Sequence, residues 1–116
     1  MHQKNLGQQG EQIVESYLSD KGYMLLERNF LKRSGEIDLI FQDNDEIVFI
    51  EVKTRRTKTF GRPEEAVDGR KIKKIEKTAL EWLKKNKKLD SLWRIDIIAL
   101  ELEGESKITH FENVTL

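Results

Sequence analysis

The segment Gly35-Glu36-Ile37-Asp38-Leu39-Ile40-Phe41-Gln42-Asp43-Asn44-Asp45-Glu46-Ile47-Val48-Phe49-Ile50-Glu51-Val52-Lys53 decides the fold. Two apolar runs flank Asp43-Asn44-Asp45, whose residues suit a tight connection, so the segment reads as a β-hairpin. If Gln42 pairs with Ile47, Asp38 opposes Glu51 with Cβ atoms about 5 Å apart, and Glu36 opposes Lys53. One face then carries Glu36, Asp38 and Ile40 against Ile47, Phe49, Glu51 and Lys53. The other carries Ile37, Leu39 and Phe41 against Val48, Ile50 and Val52, is wholly apolar, and is expected to be buried. The first face is apolar at the turn and charged at the open end, which is the pattern of a polar cleft on a half-buried sheet.

Two carboxylates opposed in a sheet repel, and an unpaired charge taken out of water is costly. A hard divalent cation between Asp38 and Glu51 reverses the sign, and all-oxygen ligation suits Mg²⁺ or Mn²⁺. The carbonyl of Val52 is a further expected ligand. Lys53, on the face of Glu51, is placed to orient or deprotonate an attacking water and to stabilise a pentacovalent phosphate. The competing reading is a Glu36–Lys53 cross-strand ion pair with Asp38 and Glu51 left in solvent. Glu11 and Glu15 lie one helical turn apart, and their pattern alone reads as two solvated surface acids.

Outward from the hairpin, Leu6 to Asp20 reads as a helix with Ile13, Val14, Tyr17 and Leu18 as its apolar stripe, ended at Gly22. Tyr23 to Phe30 reads as a strand leading into a basic turn, Lys32-Arg33-Ser34-Gly35. Gly61-Arg62-Pro63 breaks the chain. Ala66 to Lys88 is a long helix with Ile72, Ile75, Ala79, Trp82 and Leu83 on one face. Lys71, Lys73, Lys74 and Lys77 line its other side and read as a solvated face. Trp93 to Leu100 and Lys107 to Phe111 complete the strands. The order α-β-β-β-α-β-β predicts an α/β fold, a central mixed sheet flanked by helices. Trp82 and Trp93 read as core or near-core residues, and Asp96, inside an apolar strand, as a satisfied structural aspartate.

A chain of 116 residues has room for one core, so residues 1–116 are expected to form a single domain. No apolar run reaches membrane-spanning length and the first residues lack a secretory apolar core, so a soluble, cytoplasmic protein is expected, with no membrane partner. The chain has no cysteine, which excludes disulfides and thiolate metal sites. His2 and His110 are far apart in sequence, which argues against histidine-based zinc chemistry.

The formal net charge of +0 hides a segregation. Residues 53–88 hold 14 Lys+Arg and 5 Asp+Glu, a net of +9, between flanks of −5 (residues 1–52) and −4 (residues 89–116). A basic stretch directly after an acidic cluster suits a phosphate-bearing partner beside a metal. Arg55, Arg56, Lys58 and Arg62 are expected to meet phosphates flanking the scissile bond.

The residues Gly10-Glu11, Gly35-Glu36-Ile37-Asp38-Leu39-Ile40, Phe49-Ile50-Glu51-Val52-Lys53-Thr54-Arg55, Phe60-Gly61-Arg62-Pro63-Glu64-Glu65-Ala66-Val67, Arg94-Ile95-Asp96-Ile97-Ile98-Ala99-Leu100 and Ile108-Thr109-His110-Phe111 resemble the motifs of the YraN-like family of small bacterial proteins. The Asp38…Glu51-x-Lys53 spacing is that of PD-(D/E)XK nucleases. The resemblance implies a restriction-endonuclease-like fold, distantly similar to archaeal Holliday-junction resolvases. It implies Glu11, Asp38, Glu51 and Lys53 as the metal and catalytic set, so it favours Glu11 over Glu15. It further implies Mg²⁺ or Mn²⁺ as cofactor, DNA as substrate, branched or junction DNA by analogy, and a homodimer. The expectation is therefore a metal-dependent endonuclease hydrolysing DNA phosphodiesters. The alternative is a non-catalytic nucleic-acid-binding module of nuclease fold.

Overall fold

The computed structural model of the chain describes residues 5–56 and 69–114. Helix α1 spans Leu6–Asp20. Asn5 caps it: its side chain accepts from the Gln8 backbone N–H, and the Gln8 side chain accepts from the Asn5 N–H, so two amide donors of the first turn are satisfied reciprocally. Gly22, at φ +93°, turns the chain out of the helix in a conformation that glycine adopts at little cost.

Five strands follow in one sheet: β1 (Met24–Lys32), β2 (Gly35–Asp43), β3 (Glu46–Arg55), β4 (Leu92–Glu101) and β5 (Lys107–Phe111), with α2 (Gly69–Lys85) between β3 and β4. Their spatial order is β1-β2-β3-β4-β5, antiparallel except for β3 and β4, which pair in parallel from Glu46↔Leu92 to Arg55↔Glu101. A parallel neighbour needs a crossover, and α2 lies within it. The α/β class, mixed sheet and element order are those expected. Residues 66–68 of the expected long helix lie outside the described residues. At its other end α2 stops three residues short of Lys88, because Lys87 takes a positive φ of 56° and the Lys88 N–H turns back to the Leu83 carbonyl.

Each sheet face carries a helix. Val14 and Leu18 of α1 bury against Leu39, Phe41, Val48, Ile50 and Ile98. Ile75, Ala79, Trp82 and Leu83 of α2 cover Phe30, Ile40, Ile47, Phe49 and Ile95 on the other side. Phe49 meets both Trp82 and Trp93 edge-on, with centroids 5.7 and 5.8 Å away. Gly10 presses α1 onto β3, where a Cβ would fall on the Thr54 hydroxyl. Among the described residues no helix is long and apolar enough to cross a membrane.

One expectation about the faces fails. Ile37 joins the α2-side cluster with Ile40, while Leu39 and Phe41 face α1. Strict alternation would put residues 37, 39 and 41 together. The phase slips at Asp38.

Candidate active site

The β2–β3 register starts as expected, from Asp43↔Glu46 through Gln42↔Ile47 to Leu39↔Ile50. It then ends, so the direct Asp38–Glu51 and Glu36–Lys53 pairings do not form. On the other side of β2, the pairs Arg28↔Leu39 and Phe30↔Ile37 flank Asp38, which has no Cα partner in β1. The residue between Arg28 and Phe30 is Asn29, with a positive φ of 49°. The ladder therefore lapses on both sides of Asp38. Its side chain takes over part of the pairing: the Val52 N–H donates to Asp38 Oδ2 at 2.8 Å.

Asp38 pays electrostatically for this seat. Burial pushes its pKa up, the charge of Glu51 pushes further, the Val52 N–H opposes them, and Glu11 and Glu36 add to the rise; the result is about 7. Four acids from α1, β2 and β3 thus share one region of negative potential. Glu11, on α1, is held by the Asn29 side-chain amide, which donates to Glu11 Oε1 at 2.9 Å. Glu15, one turn on, is instead neutralised by the Arg28 guanidinium fork at 2.6 and 2.8 Å, and the hydrogen bond from Arg28 holds its pKa below the ordinary range. Both are partnered rather than solvated. A cavity of about 460 Å³ opens beside them, lined by Gln8, Gln12, Ser16 and Leu39 as well as by Glu11, Glu15, Arg28 and Asn29.

Glu51 is buried, and its partner was not foreseen. Lys71, in the first turns of α2, places Nζ 2.8 Å from Glu51 Oε1. The solvated-face reading of Lys71 is therefore corrected: the α2-side position of residue 51, set by alternation with Ile47 and Phe49, aims Glu51 at that helix. Lys53, two residues along, is half-buried and makes no ion pair with Glu36. Arg55 ends β3, half-buried and partnered; Arg56 is exposed. Lys58 and Arg62 lie outside the described residues.

A second polar centre lies toward the turn end of the hairpin. Asp96 is fully buried and saturated: Arg94 Nε donates to both its oxygens at 3.0 and 3.2 Å, His110 Nε2 lies at 2.7 Å, and the Asn113 N–H donates at 2.9 Å. Burial alone would raise the Asp96 pKa, but the bonds from His110, Asn113 and Arg94 outweigh it and hold the group below its ordinary value. Arg94 also reaches Glu46, Asp43 and the Tyr23 hydroxyl; burial works against its charge, but its hydrogen bonds to Asp96 and then Glu46 raise its pKa. The structural reading of Asp96 holds. His110, however, is not isolated. Asp96, His110 and Glu112 offer three ligand atoms within 4.8 Å of one another, a grouping able to hold a metal ion. Glu11, Asp38 and Glu51 draw no such triad. An ion at Asp96 would compete with the Arg94 guanidinium already bound there. One signal in the sequence foretold this hub: Arg94 and Asp96, two apart in a strand, share a face. Nothing comparable marked Lys71 or Asn29.

Against known proteins, the family model described as "Uncharacterised protein family UPF0102" matches residues 10–100. The chain belongs to the UPF0102 family. A UPF0102 protein of Syntrophomonas wolfei is 46% identical over 111 residues, spanning 95% of this chain and 96% of the relative. One from Geobacter metallireducens is 43% identical over 114 residues, spanning 97% and 93%. UPF0102 is the YraN-like family that the motifs indicated. Among solved structures, Pyrococcus furiosus SfsA in complex with Ca²⁺ aligns at 16% identity and a TM-score of 0.38, covering 96% of this chain and 64% of that one.

Proposed function

We propose that this protein is a Mg²⁺- or Mn²⁺-dependent endonuclease that hydrolyses DNA phosphodiesters, with branched or junction DNA as its substrate. The single observation that carries the reading is the seat of Asp38. The sheet gives up its pairing on both sides of this residue, and burial with three neighbouring acids pushes its pKa to about 7. A fold accepts such an arrangement when a cation neutralises it.

The residues present fit a hard cation. The donors of Asp38, Glu51 and Glu11 and the carbonyl of Val52 are all oxygen, and the Lys71 ammonium against Glu51 shows that this position accepts positive charge. Bound there, the metal would polarise the phosphate and ease deprotonation of water. Asp38 is oriented for ligation by the Val52 N–H, and Asn29 fixes Glu11. Lys53 directs the attacking water and stabilises the charge gathering on the phosphate. One P–O bond forms to the water oxygen, one P–O ester bond breaks, the water proton passes to solvent, and the departing alkoxide takes up a proton from solvent to leave as the alcohol. The carbonyl of Val52 stays in place as the strand's backbone. Arg55, Arg56, Lys58 and Arg62 grip flanking phosphates. A homodimer would set two such centres against the two strands of a symmetric junction.

Two observations favour the alternative of a non-catalytic nucleic-acid-binding module: Lys71 already neutralises Glu51, and the acids do not close into a tight triad. A cleavage assay on branched, nicked, single-stranded and duplex DNA, with Mg²⁺ and with Mn²⁺, separates them. Cleavage by wild type that is lost in Asp38→Asn and Lys53→Ala supports the enzyme. Salt-sensitive binding with no cleavage under either metal supports the module. Sedimentation with and without junction DNA tests the dimer.

A further inference from the structure

The β1–β2 turn and the end of α2 border an open, shallow groove of about 600 Å³ lined by Lys32, Arg33, Glu81, Lys84 and Lys85. Four of its five lining side chains are cations. None of the four makes an ion pair among the described residues. The one acid, Glu81, already accepts a hydrogen bond from the Ser34 hydroxyl at 3.2 Å. Two of the cations are held in place: Lys32 and Lys85 put Nζ 5.4 and 5.7 Å from the centroid of the same ring, Phe30. That ring is itself buried, so a fixed platform gathers two like charges from different elements.

The helix dipole accounts for Lys84 and Lys85, which lie in the last turn of α2 where cations are favoured. It does not account for Lys32 and Arg33 being set across from them. Stability alone would favour acids at those turn positions, because gathered like charges repel. An anionic partner that threads between the two rows removes that cost. The location names the partner. Gly35, where β2 leaves this turn, lies three residues from Asp38, about 10 Å of extended chain. A polyanion lying in the groove therefore reaches the acid cluster within a few phosphate spacings.

We infer that the Lys32/Arg33/Lys84/Lys85 groove is a second docking track for the nucleic-acid phosphate backbone, leading one arm of the substrate toward Asp38. The track is made by other elements than Arg55 and Arg56, which stand at the C-terminal end of β3. The inference rests on the nucleic-acid reading above, though not on catalysis. It holds equally for a cleaving enzyme and for a binding module.

The test is fluorescence anisotropy with labelled branched DNA in EDTA, which removes cleavage from the readout. The full chain is compared with Lys84→Gln/Lys85→Gln, with Lys32→Gln/Arg33→Gln, and with Lys21→Gln/Lys107→Gln, a control that removes equal charge from the end of α1 and from β5. Each groove double variant should raise Kd about tenfold at moderate salt and lower the log Kd–log[salt] slope by about two, while the control should move both far less. The conservative variant Lys84→Arg/Lys85→Arg should bind like wild type, and urea midpoints matched to wild type separate lost contacts from lost fold. Groove variants that bind as tightly as the control overturn the inference, as does wild type failing to bind DNA at low salt. A groove that instead governs binding to vesicles of anionic phospholipid, with DNA binding unchanged, also overturns it. Wild type that binds through the groove yet cleaves nothing leaves the track standing and removes only the enzyme.

Discussion

Two aspartates in one sheet, Asp38 half-buried and Asp96 fully buried, meet opposite fates. Asp96 on β4 sits among Arg94, His110 and the Asn113 N–H, and its pKa is held down. Asp38 on β2 has one backbone N–H and three acidic neighbours, and its pKa rises to about 7. The first is what a chain does with a charge it keeps for structure: it supplies every lone pair with a donor. The second is a charge left unbalanced where two ladders part. Asp96 is thus the internal standard against which the incomplete neutralisation of Asp38 is measured.

Removing each group should read out on a different scale. The largest effect is on activity: Asp38→Asn keeps an acceptor for the Val52 N–H but should cut metal-dependent cleavage at least about 100-fold, measured under single turnover. Asp96→Asn should leave the same assay close to wild type when scaled to folded protein. In stability the order reverses. Asp96→Ala leaves Arg94 without its most buried partner and should cost about 3–5 kcal/mol in urea denaturation. A loss under about 1 kcal/mol would mean that the hub is decorative.

Gly10→Ala sharpens the contrast through the backbone. The new methyl falls on Thr54, so α1 must lift, and a penalty of about 1–3 kcal/mol is expected in the same assay. Because Glu11 follows directly, metal affinity should drop along with stability.

The pH dependence of Asp38→Asn gives the sign test. A carboxyl with a raised folded-state pKa binds its proton more tightly folded than unfolded. Its stabilising proton is present at pH 4 and is lost as pH climbs to about 7. Without metal, Asp38→Asn should therefore match wild type near pH 4 and exceed it by about 1–3 kcal/mol at pH 8. Equal stabilities at pH 8 would show that Asp38 is already balanced, as Asp96 is. The smallest effect belongs to Glu15→Gln, whose partner Arg28 is exposed; its urea midpoint should stay within experimental scatter.

Much of this was legible in the residues. Turn chemistry at Asp43-Asn44-Asp45 set the hairpin register, and the apolar stripes placed both helices. Asp38 feels the charges of Glu51 and Glu11, so three of the residues singled out share one electrostatic neighbourhood. Other features were hidden. The lapse at Asp38 needs Asn29 in a left-handed conformation on a neighbouring strand, and no local rule in β2 announces it. The Glu51–Lys71 ion pair depends on where a crossover helix lands, and Lys71 has the same polar spacing as its solvated neighbours.

Period and turn chemistry are local, so the chain itself determined its elements, their order, the hairpin alignment and the membership of the UPF0102 family. Charge balance is not local. Which acid receives a guanidinium, which a lysine and which almost nothing depends on groups up to 71 residues apart meeting at angstrom range. Only the assembled sheet and its two helices decided that Asp96 would be satisfied and Asp38 would not.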